Sequence, residues 1–149
     1  MGLIVCAIRG GPVSRATQDR AIELARDGGH QLAFLHVVEQ SLVDLHSGVR
    51  SGAILEELRH LGEFIIAMAQ ERAQAAGVKA EGAVRLGHVP DEIIKYTRER
   101  NADFLVLGSS QHALLSRLLH RDRSDEFAQR VREETGATVI TVPPPSGDG

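Results

Sequence analysis

The stretch Ala102-Asp103-Phe104-Leu105-Val106-Leu107 is almost wholly apolar and is followed at once by Gly108-Ser109-Ser110. An apolar run of this length, closed by a turn residue, is typical of a parallel β-strand that is covered on both faces. The run Leu3-Ile4-Val5-Cys6-Ala7-Ile8 has the same pattern and is closed by Gly10-Gly11-Pro12. These two runs predict central strands of a parallel sheet.

Outward from these runs, short strand-like segments alternate with longer segments of helical spacing along the whole chain. This alternation predicts the α/β class, with one doubly wound, five-stranded parallel sheet and helices on both of its faces. The three further strands are predicted at 31–38, 79–86 and 137–142. The last strand, Thr138–Val142, carries no lysine, so as an edge strand it would leave unprotected backbone groups that a two-fold pairing could satisfy.

The strongest helical stripe lies between about Ser51 and Ala76, and Gly77 ends it. A helix that covers a sheet needs one such stripe, and a partner-binding face is the alternative interpretation. Its members recur at spacings of three and four: Ile54, Leu55, Leu58, Leu61, Ile65, Met68, Ala69 and Arg72.

Composition excludes several classes of protein. The chain has 149 residues with 42% apolar content, which predicts one domain over residues 1–142 and a flexible tail over 143–149. One cysteine excludes a disulfide scaffold, and Cys6 is expected to be a small core residue. Lys and Arg number 17 against 20 acids, with no long basic run, so nucleic acid is not an expected partner. Without a spanning apolar run or a leader pattern, we expect a cytoplasmic protein and no membrane contact.

A ligand site is predicted where the loops after the first and fourth strands meet at the carboxyl ends of the sheet. Glycines there permit close backbone approach, and serines supply hydroxyl donors, which suits an anion or a nucleotide. A tight turn without a ligand is the alternative. The candidate crevice residues are Ala7, Arg9, Val37, Gly108, Ser109 and Ser110.

Catalytic and metal sites are not predicted. The seven histidines show no i, i+4 pair on a helix and no CxxC partner, and no Gly-x-Ser-x-Gly elbow is present. His36, in an apolar run, is interpreted as a satisfied core residue. His88 and His112 follow strand ends and are interpreted as exposed loop residues.

Four segments together resemble the universal stress protein family, in that family's order along nearly the whole chain. They are Leu35-His36-Val37-Val38-Glu39, Gly87-His88-Val89-Pro90-Asp91-Glu92-Ile93-Ile94, 102–109 as quoted above, and Leu115-Ser116-Arg117-Leu118-Leu119. The resemblance implies strand order 3-2-1-4-5 and usually a homodimer. The family divides into a branch that binds ATP and a branch that does not, and the resemblance implies that this chain belongs to one of them.

The ATP-binding branch resembles Gly-x2-Gly-x9-Gly-(Ser/Thr) after the fourth strand, with an Asp ending the first strand. Here Gly108 is the first glycine, but the second falls on Gln111 and the third on Arg121, with Asp122 after it. Alignment backward from the fifth strand places the Gly-Ser pair on Asp125-Glu126 instead, and Arg9 replaces the first-strand Asp. The match is therefore to a branch without an intact ATP motif.

Basic side chains accompany these departures at Arg117, His120, Arg121 and Arg123. They are interpreted as a solvated loop that pairs with nearby acids, and an altered anion site is the alternative.

From the residues and the resemblance we expect a regulatory or protective stress protein that acts through protein partners. We expect it to form a homodimer through the 138–142 edge, to bind ATP weakly or not at all, and to need no cofactor. A nucleotide sensor for AMP or ATP in the altered crevice is the second hypothesis. An enzyme that acts on nucleotide phosphates is the third hypothesis and the weakest of the three, because the sequence shows no general base or metal pair that would support it.

Overall fold

A computed structural model describes residues 2–41, 51–109 and 126–143. Within these ranges the strands are β1 (Leu3–Ala7), β2 (Gln31–Glu39), β3 (Ala80–Gly87), β4 (Phe104–Gly108) and β5 (Thr138–Val142), and the helices are α1 (Pro12–Gly28), α2 (Ser51–Ala75), α3 (Val89–Glu99) and α4 (Glu126–Thr135). All neighbouring strands are parallel, in the order β3-β2-β1-β4-β5. The predicted fold and strand order are confirmed.

The two most apolar runs are central neighbours, as predicted. β1 pairs with β2 on one side and with β4 on the other, and every residue of β1 is buried. β4 begins at Phe104 rather than at residue 102, and Asp103 lies directly before it. Its Oδ2 accepts a hydrogen bond of 2.9 Å from the backbone N–H of Leu3. The Cys6 side chain is fully buried, and burial raises the pKa of its thiol far above the ordinary value, which confirms it as a core residue.

Two apolar layers enclose the sheet. One face packs against α1 and α2, with Ile4, Cys6 and Phe34 pointing into that layer. The other face packs against α3 and α4, with Val5, Leu35 and Leu105 in the layer. Alternate residues of each central strand therefore enter opposite layers, as the two-residue period of a β-strand requires.

The buried face of α2 differs from the predicted stripe. Gly62, Ile66, Ala69 and Ala73 are the residues it buries, whereas Leu61 and Met68 are 53% and 44% exposed. Two glycines permit the close approach of α2 to β3: a Cβ on Gly82 would lie 2.3 Å from Cγ2 of Ile66, and a Cβ on Gly62 would lie 3.1 Å from Cγ1 of Val84. The stripe prediction was wrong for Leu61 and Met68, because the contact surface is centred on small residues.

Candidate binding cleft

A cleft opens at the carboxyl end of the sheet because neighbouring strands end at different heights. The pairing of β1 with β2 ends at Ala7 and Leu35, whereas β2 stays paired with β3 as far as Glu39 and Gly87. The last part of β2 therefore has no strand beside it on the β1 side. The cleft that results has a volume of about 760 Å³, which is within the range of small-molecule sites.

Most of the cleft wall is apolar and comes from four elements. β1 and β2 form its base, and the loop from Arg9 to Gly11 forms one rim. The middle of α2, from Leu58 to Ile65, forms a long wall, and the start of α3 closes the far side. The apolar residues in this wall are Ala7, Ile8, Leu35, Val37, Val38, Leu58, Leu61, Phe64, Ile65, Val89 and Ile93.

Backbone groups of β2 also face the cleft. The N–H of Ile8 donates to the carbonyl of Leu35 at 2.8 Å, so Leu35 directs its backbone groups toward β1. Val37 lies two residues further along and directs its N–H and C=O the same way, beyond the last β1 pair. The cleft therefore presents one backbone donor and one backbone acceptor at Val37.

His36 is held in one orientation at the cleft. Its Nδ1 lies 3.0 Å from the carbonyl oxygen of Ile8, and because a carbonyl only accepts, Nδ1 carries the hydrogen. The ring packs against α2 at Gly62, where a Cβ would lie 2.7 Å from His36 Cδ2. His36 has a hydrogen-bond partner, as predicted, but it is half-buried and lines the cleft rather than lying in the core.

Glu39 fastens the end of β2 to the start of α3. Its Oε1 accepts the backbone N–H of Val89 at 3.0 Å, and its Oε2 lies 3.1 Å from Ser41 Oγ and 3.4 Å from His88 Nδ1. Burial acts to raise the pKa of Glu39, but the hydrogen bonds from Val89, Ser41 and His88 outweigh it and lower the pKa. Glu39 thus supplies the side-chain cap that α3 lacks at its own N-cap residue, His88.

Replacing Glu39 with glutamine is expected to lower the free energy of unfolding by about 1 kcal/mol at pH 7, the usual contribution of a helix cap. The pKa of Glu39 is lowered in the folded state, so its carboxylate stabilises the fold above the unfolded-state pKa, and that contribution is lost as the pH falls through the folded-state pKa. Urea unfolding from pH 7 into acid should show the gap between the wild type and Glu39→Gln closing.

The matched control is Glu57→Gln on the exposed face of α2, which is expected to leave the unfolding curve nearly unchanged at every pH. A Glu39→Gln gap that stays constant from neutral pH into acid would contradict the role of the carboxylate.

Arg9 lies at the rim of the cleft, directly after β1, and its side chain is exposed. The ion pairs among the described residues do not include it. It is therefore a cation at the cleft without a carboxylate beside it in the described part of the chain.

The structure divides the predicted crevice residues into two groups. Ala7, Arg9 and Val37 line the cleft together. Gly108 and Ser109 do not line it: Gly108 pairs with Val142 on β5 and faces α1, where a Cβ would lie 3.0 Å from Thr17 Oγ1. Ser110, Gln111 and Asp125 lie outside the described residues, as do the basic residues of 117–123 and the tail beyond 143. Ligand binding by the crevice residues stays a prediction.

The cleft residues of α2 and α3 were missed by the sequence analysis. Leu61 and Phe64 line the cleft, and Met68 continues their spacing of three and four on a face of α2 beside the buried one, although Met68 itself lies beyond the cleft. A helix with two adjacent apolar faces is a signal that one of them lines something other than the sheet. Glu39 gave no such signal, because its partners on α3 are distant in sequence.

Within residues 2–41, 51–109 and 126–143, no group of three or more His, Cys, Asp or Glu side chains is arranged to hold a metal ion. None of the helices in that part of the chain combines the length and apolar content needed to cross a bilayer.

A doubly wound sheet with helices on both faces and a cleft at its carboxyl ends defines the Rossmann-like α/β class. The model of the universal stress protein family matches residues 1–142, and the chain belongs to that family. The chain is 29% identical over 114 residues to universal stress protein YxiE of Bacillus subtilis, covering 71% of this chain and 77% of that one. It is 26% identical over 143 residues to universal stress protein MJ0531 of Methanocaldococcus jannaschii, covering 95% and 82%.

Solved structures share the fold at lower identity. The protein MJ0577 superposes with a TM-score of 0.74 at 12% identity, over 98% of both chains. A universal stress protein in complex with cAMP gives a TM-score of 0.66 at 22% identity, over 95% of this chain and 96% of that one. The Archaeoglobus fulgidus protein in complex with dAMP gives 0.62 at 16% identity, over 95% and 97%.

Proposed function

We propose that this chain is a regulatory or protective stress-response protein of the family's branch without an intact ATP motif. It acts as a homodimer and through protein partners, performs no catalytic step, and binds ATP weakly or not at all. The observation that carries the ATP part of the proposal is the acidic start of α4.

Glu126 is the first residue of α4 and places a carboxylate in its first turn. Because α4 connects parallel strands by a crossover, its N-terminus lies at the same end of the sheet as the cleft. A phosphate charge about 5 Å from one carboxylate loses roughly 3 kcal/mol at an effective dielectric constant of 20. A polyphosphate seated on that helix start would therefore be repelled, which supports weak ATP binding.

The position of β5 supports the homodimer. β5 is an edge strand that pairs with β4, and Val139 and Ile140 on it are only half-buried in the protomer. An edge strand without charged residues exposes backbone donors and acceptors that a second copy could pair by two-fold symmetry.

A nucleotide sensor is the second candidate, and the backbone of Val37 favours it. One donor and one acceptor side by side in an apolar cleft are what the hydrogen-bonding edge of an adenine requires. The family members solved with cAMP and dAMP make an adenine monophosphate the ligand to test. Such a ligand would also carry fewer charges to the start of α4 than ATP does.

A thermal-shift titration separates the two candidates. Under the first proposal ATP, AMP and cAMP leave the melting temperature unchanged. A ligand at 100 times its dissociation constant adds about 2.7 kcal/mol, which is a rise of several degrees. A rise with AMP or cAMP but not ATP would favour the sensor, and a clear rise with ATP would contradict weak ATP binding.

A further inference from the structure

The rim of the cleft exposes more large apolar surface than the fold requires. Phe64 and Leu61 are 62% and 53% exposed, although both lie on α2 next to an already apolar cavity. Burying such side chains against an apolar partner is favourable. Large exposed side chains that continue a concave apolar wall indicate a ligand whose body covers them.

The charges at the cleft favour an anion with a single negative group. The carboxylate of Glu39 has both oxygens occupied by hydrogen-bond donors from Val89, Ser41 and His88. Arg9 differs from Glu39, because its guanidinium is exposed at the rim of the cleft. None of the ion pairs among the described residues includes it. One planar guanidinium matches one carboxylate through two parallel hydrogen bonds.

We infer that the cleft binds an aliphatic carboxylic acid, with its carboxylate on Arg9 and its hydrocarbon chain along Leu61 and Phe64 of α2. This inference rests on the proposed function, in which ATP does not occupy the cleft, and assigns the cleft a ligand of a different class from the second candidate. The apolar wall fits such a chain better than a nucleotide, because buried sugar hydroxyls and phosphate oxygens need hydrogen-bond partners. The cleft volume of about 760 Å³ leaves room for a ten-carbon chain.

Calorimetric titration of the full chain with decanoate and with 1-decanol tests the role of charge. Both ligands present the same chain, so decanoate is expected to bind more tightly through its carboxylate. Arg9→Gln is expected to weaken decanoate binding about 10- to 100-fold, the usual range for charge-assisted hydrogen bonds, and to leave decanol binding unchanged. The control Arg15→Gln removes an exposed arginine of α1 outside the cleft and should change neither ligand.

A second pair of variants tests the role of the apolar wall. Phe64→Ser is expected to weaken both decanoate and decanol about tenfold, because the chain loses its aromatic contact. Met68→Ser removes an exposed apolar side chain of the same helix that does not line the cleft, and it is expected to change neither. Circular dichroism of all four variants should match the wild type, since each altered side chain is exposed.

Absence of decanoate binding, equal affinity for decanoate and decanol, or an Arg9→Gln variant that binds decanoate as the wild type does would each contradict this inference. The same preparation is also titrated with ATP. Tight ATP binding would contradict the proposed function whatever decanoate does. Weak ATP binding with no decanoate binding would contradict the ligand assignment alone.

Discussion

Phe34→Ala is expected to destabilise the protein by about 3 to 5 kcal/mol, the usual cost of truncating a buried phenylalanine. Phe34 is fully buried on β2, in the layer between the sheet and the two helices α1 and α2. The cavity left there cannot fill by a local shift, because both helices and all five strands contribute side chains to that layer. For a chain of this length the loss lowers the melting temperature by roughly 10 to 20 °C, measured by calorimetry or urea unfolding.

Phe64→Ala is the matched control, since it makes the same chemical change at a side chain that is 62% exposed. It is expected to change the free energy of unfolding by about 0.5 kcal/mol or less, as surface substitutions do. Equal losses for the two variants would contradict the assignment of Phe34 to the core and of Phe64 to the cleft rim.

Val139→Lys is expected to raise the dissociation constant of the proposed homodimer about 100-fold. The N–H of Thr138 donates to the carbonyl of Asp103 on the β4 side, so the backbone of Val139 faces the free edge of β5. A lysine on that edge interferes with strand pairing. Because the interface is two-fold symmetric, the substitution is present twice in each dimer. A cost of about 1.4 kcal/mol per copy corresponds to the 100-fold change, which light scattering across a concentration series measures.

Ala83→Lys is the control for this variant, because Ala83 is a half-buried residue on β3, the opposite edge of the sheet. It is expected to leave the dimer intact. A wild-type protein that is monomeric at micromolar concentration, or a dimer that Ala83→Lys disrupts and Val139→Lys does not, would contradict pairing through β5. Circular dichroism must show that both variants fold.

Much of the fold could be predicted from local sequence pattern. The apolar runs around Val5 and Leu105 predicted the two central strands, because burial on both faces requires an unbroken apolar run. Predicted strand bounds agree with the structure to within two residues. The strand order followed from the family resemblance rather than from the pattern, since no single element encodes its neighbours.

The candidate site was predicted only in part. Arg9 and Val37 were placed at the correct end of the sheet, because Arg9 follows β1 and Val37 lies near the carboxyl end of β2. Gly108 was expected beside them, but it packs toward α1 near Thr17. The difference arises because the cleft opens on the β2 side of β1, where β1 ends before β2 does. The sequence does not show this, because the position where a strand ends depends on its pairing with distant segments.

By itself the sequence determined the class of fold, the central strands and the family, because the period and length of apolar runs depend only on which faces of an element are buried. The tertiary structure alone decided which face of α2 meets the sheet, where the cleft opens and that Glu39 caps α3. Those features arise from close contacts between residues far apart in the chain, such as Gly82 with Ile66 and Gly62 with His36. A local pattern carries no record of such contacts.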